Sequence, residues 1–177
     1  YLQFMVKITK TMNPIHFEDL DPHRLEDLIR NLIYDFKNWQ TIEATGRSGN
    51  DSGFDIRAWE KIETTEEAID AEDIENKDEA EVRSSKEGNL WMIQGKREKE
   101  IGPKRIAEII NEVDSKNPPY GYILAASSTF SKKSHDIFRE LLRKKGVSEF
   151  HLWAKEILED MLLMPKNDPI LFTFFGI

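Results

Sequence analysis

Residues 89–97 read NLWMIQGKR, a run in which large apolar side chains give way to glutamine, glycine and lysine. A short apolar run of this kind predicts a β-strand. Because side chains alternate along a strand, we expect Gln94 and Lys96 on one face, with Gly95 pointing away. The stretch therefore predicts a strand that carries polar groups at its end.

Two further strands separated by helices are predicted downstream. Gly102-Pro103 is a good helix start, and Ile106, Ile109, Ile110 and Val113 would form its buried face. Residues 120–126 (YGYILAA) form a continuous apolar run, typical of a strand covered on both faces. A basic helix capped by Ser131 and closed by Gly146 follows. A short strand over 150–153 precedes a last helix, lined by Ile157, Leu158, Met161 and Leu162.

One helix and two strands are predicted upstream. Asp21-Pro22 pairs an N-cap acid with proline at the first helical position. The apolar stripe that follows has helical spacing: Leu25, Leu28, Ile29, Leu32, Ile33 and Phe36. Glu26 falls on the border of that stripe. With strands over 39–45 and 54–59, the order α-β-β-β-α-β-α-β-α predicts an α/β fold, a central mixed sheet with helices on both faces.

The charge of the chain is concentrated in one segment. The 177 residues carry a formal net charge of −8 and no cysteine, which is compatible with a reducing cytoplasm. Residues 60–87 hold 12 acidic and 4 basic side chains, so the remainder is neutral, and residues 88–151 hold 12 basic against 8 acidic ones. The acidic insert is interpreted as a solvated loop or frayed helix, or as a shield over a basic surface. The overall acidity therefore does not exclude nucleic acid as a partner.

The organisation is expected to be one domain over residues 15–163, with the insert at 60–87. Residues 1–14 are interpreted as a tag remnant and N-terminal tail, with Met5 as a plausible native start. Residues 164–177 end in the apolar run PILFTFFGI. They are interpreted as a tail leading to an absent further domain, with an edge strand packed on the core as the alternative. No apolar stretch approaches the roughly 20 residues that a membrane helix needs.

Candidate chemistry rests on Asp55, Gln94, Lys96 and Glu26. Asp55 follows a glycine-punctuated turn in GNDSGFDI (49–56) and begins a predicted strand. An acid, an amide oxygen and a lysine on neighbouring strands suit metal-dependent phosphodiester cleavage, because magnesium prefers oxygen ligands and lysine stabilises developing charge. Each residue alone has a plainer interpretation: Asp55 as a turn or cap residue, Gln94 as a buried amide, Lys96 as a solvated strand end and Glu26 as a surface acid.

The motifs G-N-D-x-G-x-D-I (49–56), Q-x-K-R (94–97) and Leu25-Glu26 resemble the PD-(D/E)XK nuclease superfamily, in particular its Mrr-type restriction endonuclease branch. The resemblance covers residues 17–163. It implies a restriction-endonuclease-like three-layer fold and a double-stranded DNA endonuclease with Asp55, Gln94 and Lys96 at its site. It also implies a divalent ion, Mg²⁺ with Mn²⁺ as an alternative, held by Asp55, Gln94, Glu26 and the backbone carbonyl of Gly95.

Two features depart from that pattern. Asp55 and Lys96 are 41 residues apart, which is longer than expected, and the acidic insert fills the excess. Gln94 also removes one negative charge from the metal site, which weakens binding unless Glu26 compensates.

DNA backbone contacts without base readout are expected from the segment Arg97–Arg105 and from the basic helix Ser131–Lys145. The candidates are Arg97, Lys99, Lys104, Lys132, Lys133 and Arg143. Cutting both DNA strands is simplest with two active sites, which favours a homodimer or higher oligomer. The resemblance also suggests that the domain is the effector module of a larger restriction or antiphage defence protein. Two alternatives remain on the same fold: a non-cleaving DNA-binding or assembly module, and a structure-specific resolvase.

Overall fold

A computed structural model describes residues 15–46, 53–62 and 88–177. Within these ranges the chain forms five strands and five α-helices. In chain order they are α1 (Pro22–Ile33), β1 (Trp39–Gly46), β2 (Gly53–Glu60), β3 (Asn89–Lys96), α2 (Pro103–Asn111), β4 (Gly121–Ala126), α3 (Lys132–Lys144), β5 (Glu149–Trp153), α4 (Lys155–Leu162) and α5 (Asp168–Phe175).

The strands form one mixed sheet in the order β1-β2-β3-β4-β5. β2 pairs antiparallel with both β1 and β3, whereas β3, β4 and β5 run parallel to one another. Parallel neighbours need crossover connections, and α2 and α3 provide them. The prediction of an α/β fold with a central mixed sheet is confirmed.

Each face of the sheet has its own apolar core. One face packs against α1 and α4, through strand residues that include Ile56, Ala58, Trp91, Ile93 and Ile123. The opposite face packs against α2 and α3, through Tyr122, Leu124 and Ala126. Helices therefore cover both faces, which is the three-layer arrangement that the element order predicts.

The predicted helix boundaries are confirmed by their capping contacts. The Asp21 side chain accepts a hydrogen bond from the backbone N–H of Arg24 at 2.9 Å, at the start of α1. The Ser131 hydroxyl accepts one from the N–H of Ser134 at 3.1 Å, at the start of α3. Gly146 follows α3 with a φ of 84°, in the left-handed region that favours glycine.

The C-terminal tail differs from both the strand alternative and the expectation that α4 is the last helix. Residues 168–175 form α5, which Pro169 opens in its first turn. The Phe175 ring meets the Phe17 ring edge-on at 5.7 Å between centroids. Ile157 is 41% exposed, so it does not line the buried face of α4 as expected. A contiguous apolar run has no period, so sequence alone could not separate helix from strand here.

The acidic insert and the glycine-punctuated turn lie mostly outside the described residues, as does the segment 1–14. The shield hypothesis for residues 60–87 therefore stays a prediction. No helix within the described ranges is long and apolar enough to cross a membrane.

Candidate active site

The pairing of β2 with β3 brings two predicted site residues together. Asp55 lies directly opposite Gln94 in the antiparallel register, and directly opposed residues point to the same face of a sheet. The neighbouring Ile56 and Ile93 are buried on the α1 face. Asp55, Gln94 and Lys96 therefore share the face that is covered by α2 and α3.

Gln94 is buried, with 5% of its surface exposed. Its Oε1 accepts a hydrogen bond from the hydroxyl of Tyr122 on β4. Burial raises the pKa of the Tyr122 phenol well above its ordinary value, and the charges of Asp55 and Glu112 raise it further.

Lys96 is 3% exposed, so it is not a solvated strand end. In register it lies opposite Gly53 on β2 and Ala126 on β4. Within the described ranges no hydrogen bond or ion pair engages its ammonium group. The side chain packs in the interior, but its Nζ is not one of the described buried atoms that lack a hydrogen-bond partner, so the ammonium group lies where water or an anion can reach it.

The three residues lie at one end of the sheet, which we call the site edge: the start of β2 and the ends of β3, β4 and β5. Gly95 lies there too, paired with Ala125 of β4. The predicted contribution of its backbone carbonyl stays a prediction.

Glu26 lies on α1, in the helical layer on the opposite face of the sheet. It is half-buried. Arg97 Nη2 donates to the backbone carbonyl of Glu18 at 3.0 Å, which brings the segment before α1 to the site edge. Among the described residues, no hydrogen bond or ion pair joins Glu26 to Asp55, Gln94 or Lys96. The predicted contribution of Glu26 to metal binding therefore stays a prediction.

Most of the predicted DNA-binding residues gather at the site edge. Lys99 lies between β3 and α2, and Lys104, Lys132 and Lys133 lie in the first turns of α2 and α3. All four are exposed, and none forms an ion pair with a described residue. Arg97 is half-buried at the same end.

Arg143 is separated from this group. It lies in the last turn of α3, a helix of 13 residues that is roughly 20 Å long. Its guanidinium lies 5.9 Å from the centre of the Phe150 ring, near the start of β5. The structure thus brings five of the six predicted basic residues together and leaves Arg143 at the opposite end.

A network of contacts braces the loops of the site edge. Arg105 pairs with the Glu98 carboxylate through Nε at 3.0 Å and Nη2 at 2.7 Å. Ser128, after β4, donates its hydroxyl to the backbone carbonyl of Glu98, after β3. The N–H of Lys155, after β5, donates to the carbonyl of Ser128 at 3.0 Å. Three successive loops are therefore held together around the candidate site.

Sequence reasoning missed Tyr122 and the bracing residues Glu98, Arg105 and Ser128. For Tyr122 a signal existed, because a tyrosine in an otherwise apolar buried strand needs a partner for its hydroxyl. The bracing contacts join loops that are distant in sequence, so no local pattern could identify them.

A mixed sheet that presents aspartate, glutamine and lysine at one edge fits the class of the PD-(D/E)XK nucleases. Residues 17–162 match the family model of the Mrr catalytic domain, described as a restriction endonuclease. The chain belongs to this restriction endonuclease family, as its motifs predict.

A solved structure and the curated proteins provide the other comparisons. The structure of the MspJI restriction endonuclease in complex with a 27-mer oligonucleotide is 12% identical, with a TM-score of 0.47. The comparison covers 91% of this chain and 33% of that one, so the chain spans about a third of the length of that protein. No curated protein sequence matches the chain significantly.

Proposed function

We propose that the domain is a metal-dependent DNA endonuclease whose core site is Asp55, Gln94 and Lys96. The observation that carries this proposal is that Lys96, whose ammonium group no described residue pairs, lies on the same face of the sheet as the opposed pair of Asp55 and Gln94. Membership of a restriction endonuclease family supports nuclease chemistry.

The donor set suits a hard divalent cation such as Mg²⁺. Asp55 offers carboxylate oxygens and Gln94 an amide oxygen, and Mg²⁺ binds such groups while keeping several waters. The described residues contain no group of three or more His, Cys, Asp and Glu side chains able to hold a metal ion. A cation here would therefore be held by few charged ligands, with the Gly95 carbonyl and Glu26 as further candidates.

Asp55, Gln94 and Lys96 have different roles in the proposed reaction. When bound, a divalent cation supplies Lewis acidity to the scissile phosphate. Asp55 and Gln94 orient it, and their place on two paired strands keeps the two groups at a fixed separation. Lys96 stabilises the negative charge that develops on the phosphate, and its buried position makes that interaction stronger than it would be in water.

The DNA backbone is proposed to lie across the site edge, on Lys99, Lys104, Lys132 and Lys133, with Arg97 beside them. These four lysines are exposed, and since no described residue forms an ion pair with them, their charges are available to neutralise phosphates. Arg143 has no part in this proposal because it lies at the other end of α3. Double-stranded DNA as substrate, two copies for two cuts, and an effector role in a larger restriction or antiphage defence protein are further parts of the proposal.

The test is cleavage of supercoiled plasmid DNA with Mg²⁺ by the full chain and by two near-isosteric variants, Asp55→Asn and Lys96→Met. We expect cleavage to fall about a hundredfold or more in each, and to be lost when EDTA removes the metal. Matched control variants at positions away from the site edge are Asp35→Asn and Lys61→Met, both at exposed residues, which should cleave as the wild type does.

The outcomes separate the candidate functions. Equal cleavage by the wild type and both site variants would overturn the assignment of the site. DNA binding without cleavage by the wild type would favour the non-cleaving module, which the neutral Gln94 supports because it leaves Asp55 without a second directly opposed acid.

A further inference from the structure

The hydroxyl of Tyr122 reaches the candidate site from the neighbouring strand. Leu124 is the register partner of Gln94 across β3 and β4, so Tyr122 is the diagonal neighbour of Gln94 on the same face. Tyr122 is fully buried, and its hydroxyl donates to Gln94 Oε1. Its ring packs near Phe138 of α3, with 6.2 Å between the ring centres.

A buried glutamine depends on its partners for orientation. Its side chain has three torsions, and turning the amide by 180° exchanges an oxygen acceptor for an N–H₂ donor. Only the oxygen can bind a cation. The Tyr122 hydroxyl occupies one lone pair of Oε1, and an amide oxygen has a second lone pair that remains available.

We propose that Tyr122 is the positioning residue of the metal site, and that its hydroxyl holds Gln94 so that Oε1 can ligate a divalent cation beside Asp55. The inference rests on the proposed function, because it assigns a task to a ligand of that site. Tyr122 acts through Gln94 and touches neither DNA nor metal. Such supporting hydrogen bonds orient metal ligands in proteins, and their loss weakens metal binding about 10- to 100-fold.

The test measures metal binding directly, in the absence of DNA. Free Mn²⁺ is followed by electron paramagnetic resonance as the full chain is titrated with the ion, for the wild type and for Tyr122→Phe. This variant removes the hydroxyl and keeps the buried ring. We expect the dissociation constant for Mn²⁺ to rise about 10- to 100-fold.

A matched variant controls for packing. Phe138→Leu disturbs the environment of the Tyr122 ring and leaves the hydroxyl in place. We expect it to lower the melting temperature and to leave Mn²⁺ binding unchanged. In a Gln94→Ala background, adding Tyr122→Phe should have no further effect on Mn²⁺ binding, because the two residues act as a unit.

Cleavage gives a second readout. For Tyr122→Phe the Mg²⁺ concentration for half-maximal cleavage should rise, and saturating Mg²⁺ should restore the maximal rate. The inference would be overturned if Tyr122→Phe bound Mn²⁺ as tightly as the wild type, or if Phe138→Leu lost as much affinity as Tyr122→Phe. If the wild type still cleaved DNA in that case, the proposed function would stand. A wild type that neither binds Mn²⁺ nor cleaves DNA would overturn both.

Discussion

Lys96 is the residue at which stability and the proposed function oppose each other. Its side chain is nearly fully buried, and no described residue pairs with its charge. Packing the side chain inside removes part of the water around its ammonium group, which costs free energy in the folded state. A protein retains such a group when activity requires it, and destabilised functional sites are a common form of this conflict.

The variant Lys96→Met should therefore keep or raise the melting temperature while it lowers cleavage about a hundredfold or more. Methionine fills a similar volume without charge, so the free energy of unfolding is expected to stay the same or to rise by up to about 2 kcal/mol. Differential scanning calorimetry of the folded domain measures this. Lys61→Met, at an exposed position, should change it by less than about 0.5 kcal/mol. A lower melting temperature for Lys96→Met would show that Lys96 is a structural residue.

At the scale of elements, the packing of α5 onto the rest of the fold depends on the phenylalanines of the C-terminal tail. None of its residues is fully buried, but Phe174 and Phe175 pack against the core of the α1 face. The Arg24 guanidinium lies 4.2 Å from the centre of the Phe174 ring and donates to the carbonyl of Thr173 at 3.2 Å. Phe174 thus packs against Arg24 and Phe175 against Phe17, so two aromatic side chains hold α5 in place.

Phe175→Ala should lower the free energy of unfolding by about 1–3 kcal/mol, less than a fully buried phenylalanine would, because Phe175 is half-buried. Phe172→Ala on the same helix is the matched control, since Phe172 is 69% exposed. Urea denaturation measures both. Equal effects of the two substitutions would mean that α5 does not pack as described.

A second contact between elements predicts a pH dependence. Lys37, between α1 and β1, lies 3.0 Å from Glu149 at the start of β5, and His151 lies 3.1 Å from the same carboxylate. Burial alone raises the pKa of Glu149, but hydrogen bonds from His151 and Lys37 outweigh burial and lower that pKa below its ordinary 4.5. Glu149 therefore contributes stability above pH 4.5, and that contribution is lost as the pH falls further.

Glu149→Gln should reduce the melting temperature at neutral pH and flatten its decline below pH 4.5. Thermal unfolding followed by circular dichroism between pH 3 and 7 measures this. Glu140→Gln is the control, because the ion pair of Glu140 with Lys144 is well exposed and contributes little. If the melting temperatures of both variants fell as steeply as that of the wild type when the pH is lowered, the Glu149 contact would not account for the acid sensitivity.

For the whole molecule, the distribution of charge matters more than its sum. The net charge of −8 equals the charge of residues 60–87, and exposed lysines gather at the site edge of a body that is otherwise neutral. Electrostatic binding of DNA depends on local cation density and on the release of counterions. An acidic protein can therefore bind DNA through one edge.

Two double variants that each remove two positive charges test this arrangement. Lys132→Ala with Lys133→Ala, at the site edge, should weaken DNA binding and reduce the slope of log affinity against log salt by about 1–2. Arg143→Ala with Lys144→Ala removes the same charge at the far end of α3 and should change both much less. Fluorescence anisotropy with a labelled duplex at several salt concentrations measures the difference. Equal losses would refute backbone contact at the site edge.

Local patterns were sufficient for most elements. Asp21 and Ser131 identified the starts of α1 and α3, and the short apolar run 120–126, which follows Pro118-Pro119, identified β4, because these signals lie within a few residues of one another. The failure at α5 has the same origin, since its apolar run contains no alternation that would favour strand over helix. The motif around Gln94 and Lys96 also sufficed for the family.

Sequence alone determined the order of the elements, the family, and the candidates Asp55, Gln94 and Lys96, because each follows from residues that are close in the chain. Only the tertiary structure decided that Asp55 lies opposite Gln94, that Lys96 is buried, that Tyr122 contacts Gln94 and that Arg143 lies away from the site. Strand register and the direction in which a helix crosses the sheet depend on contacts between distant segments. No local pattern contains that information.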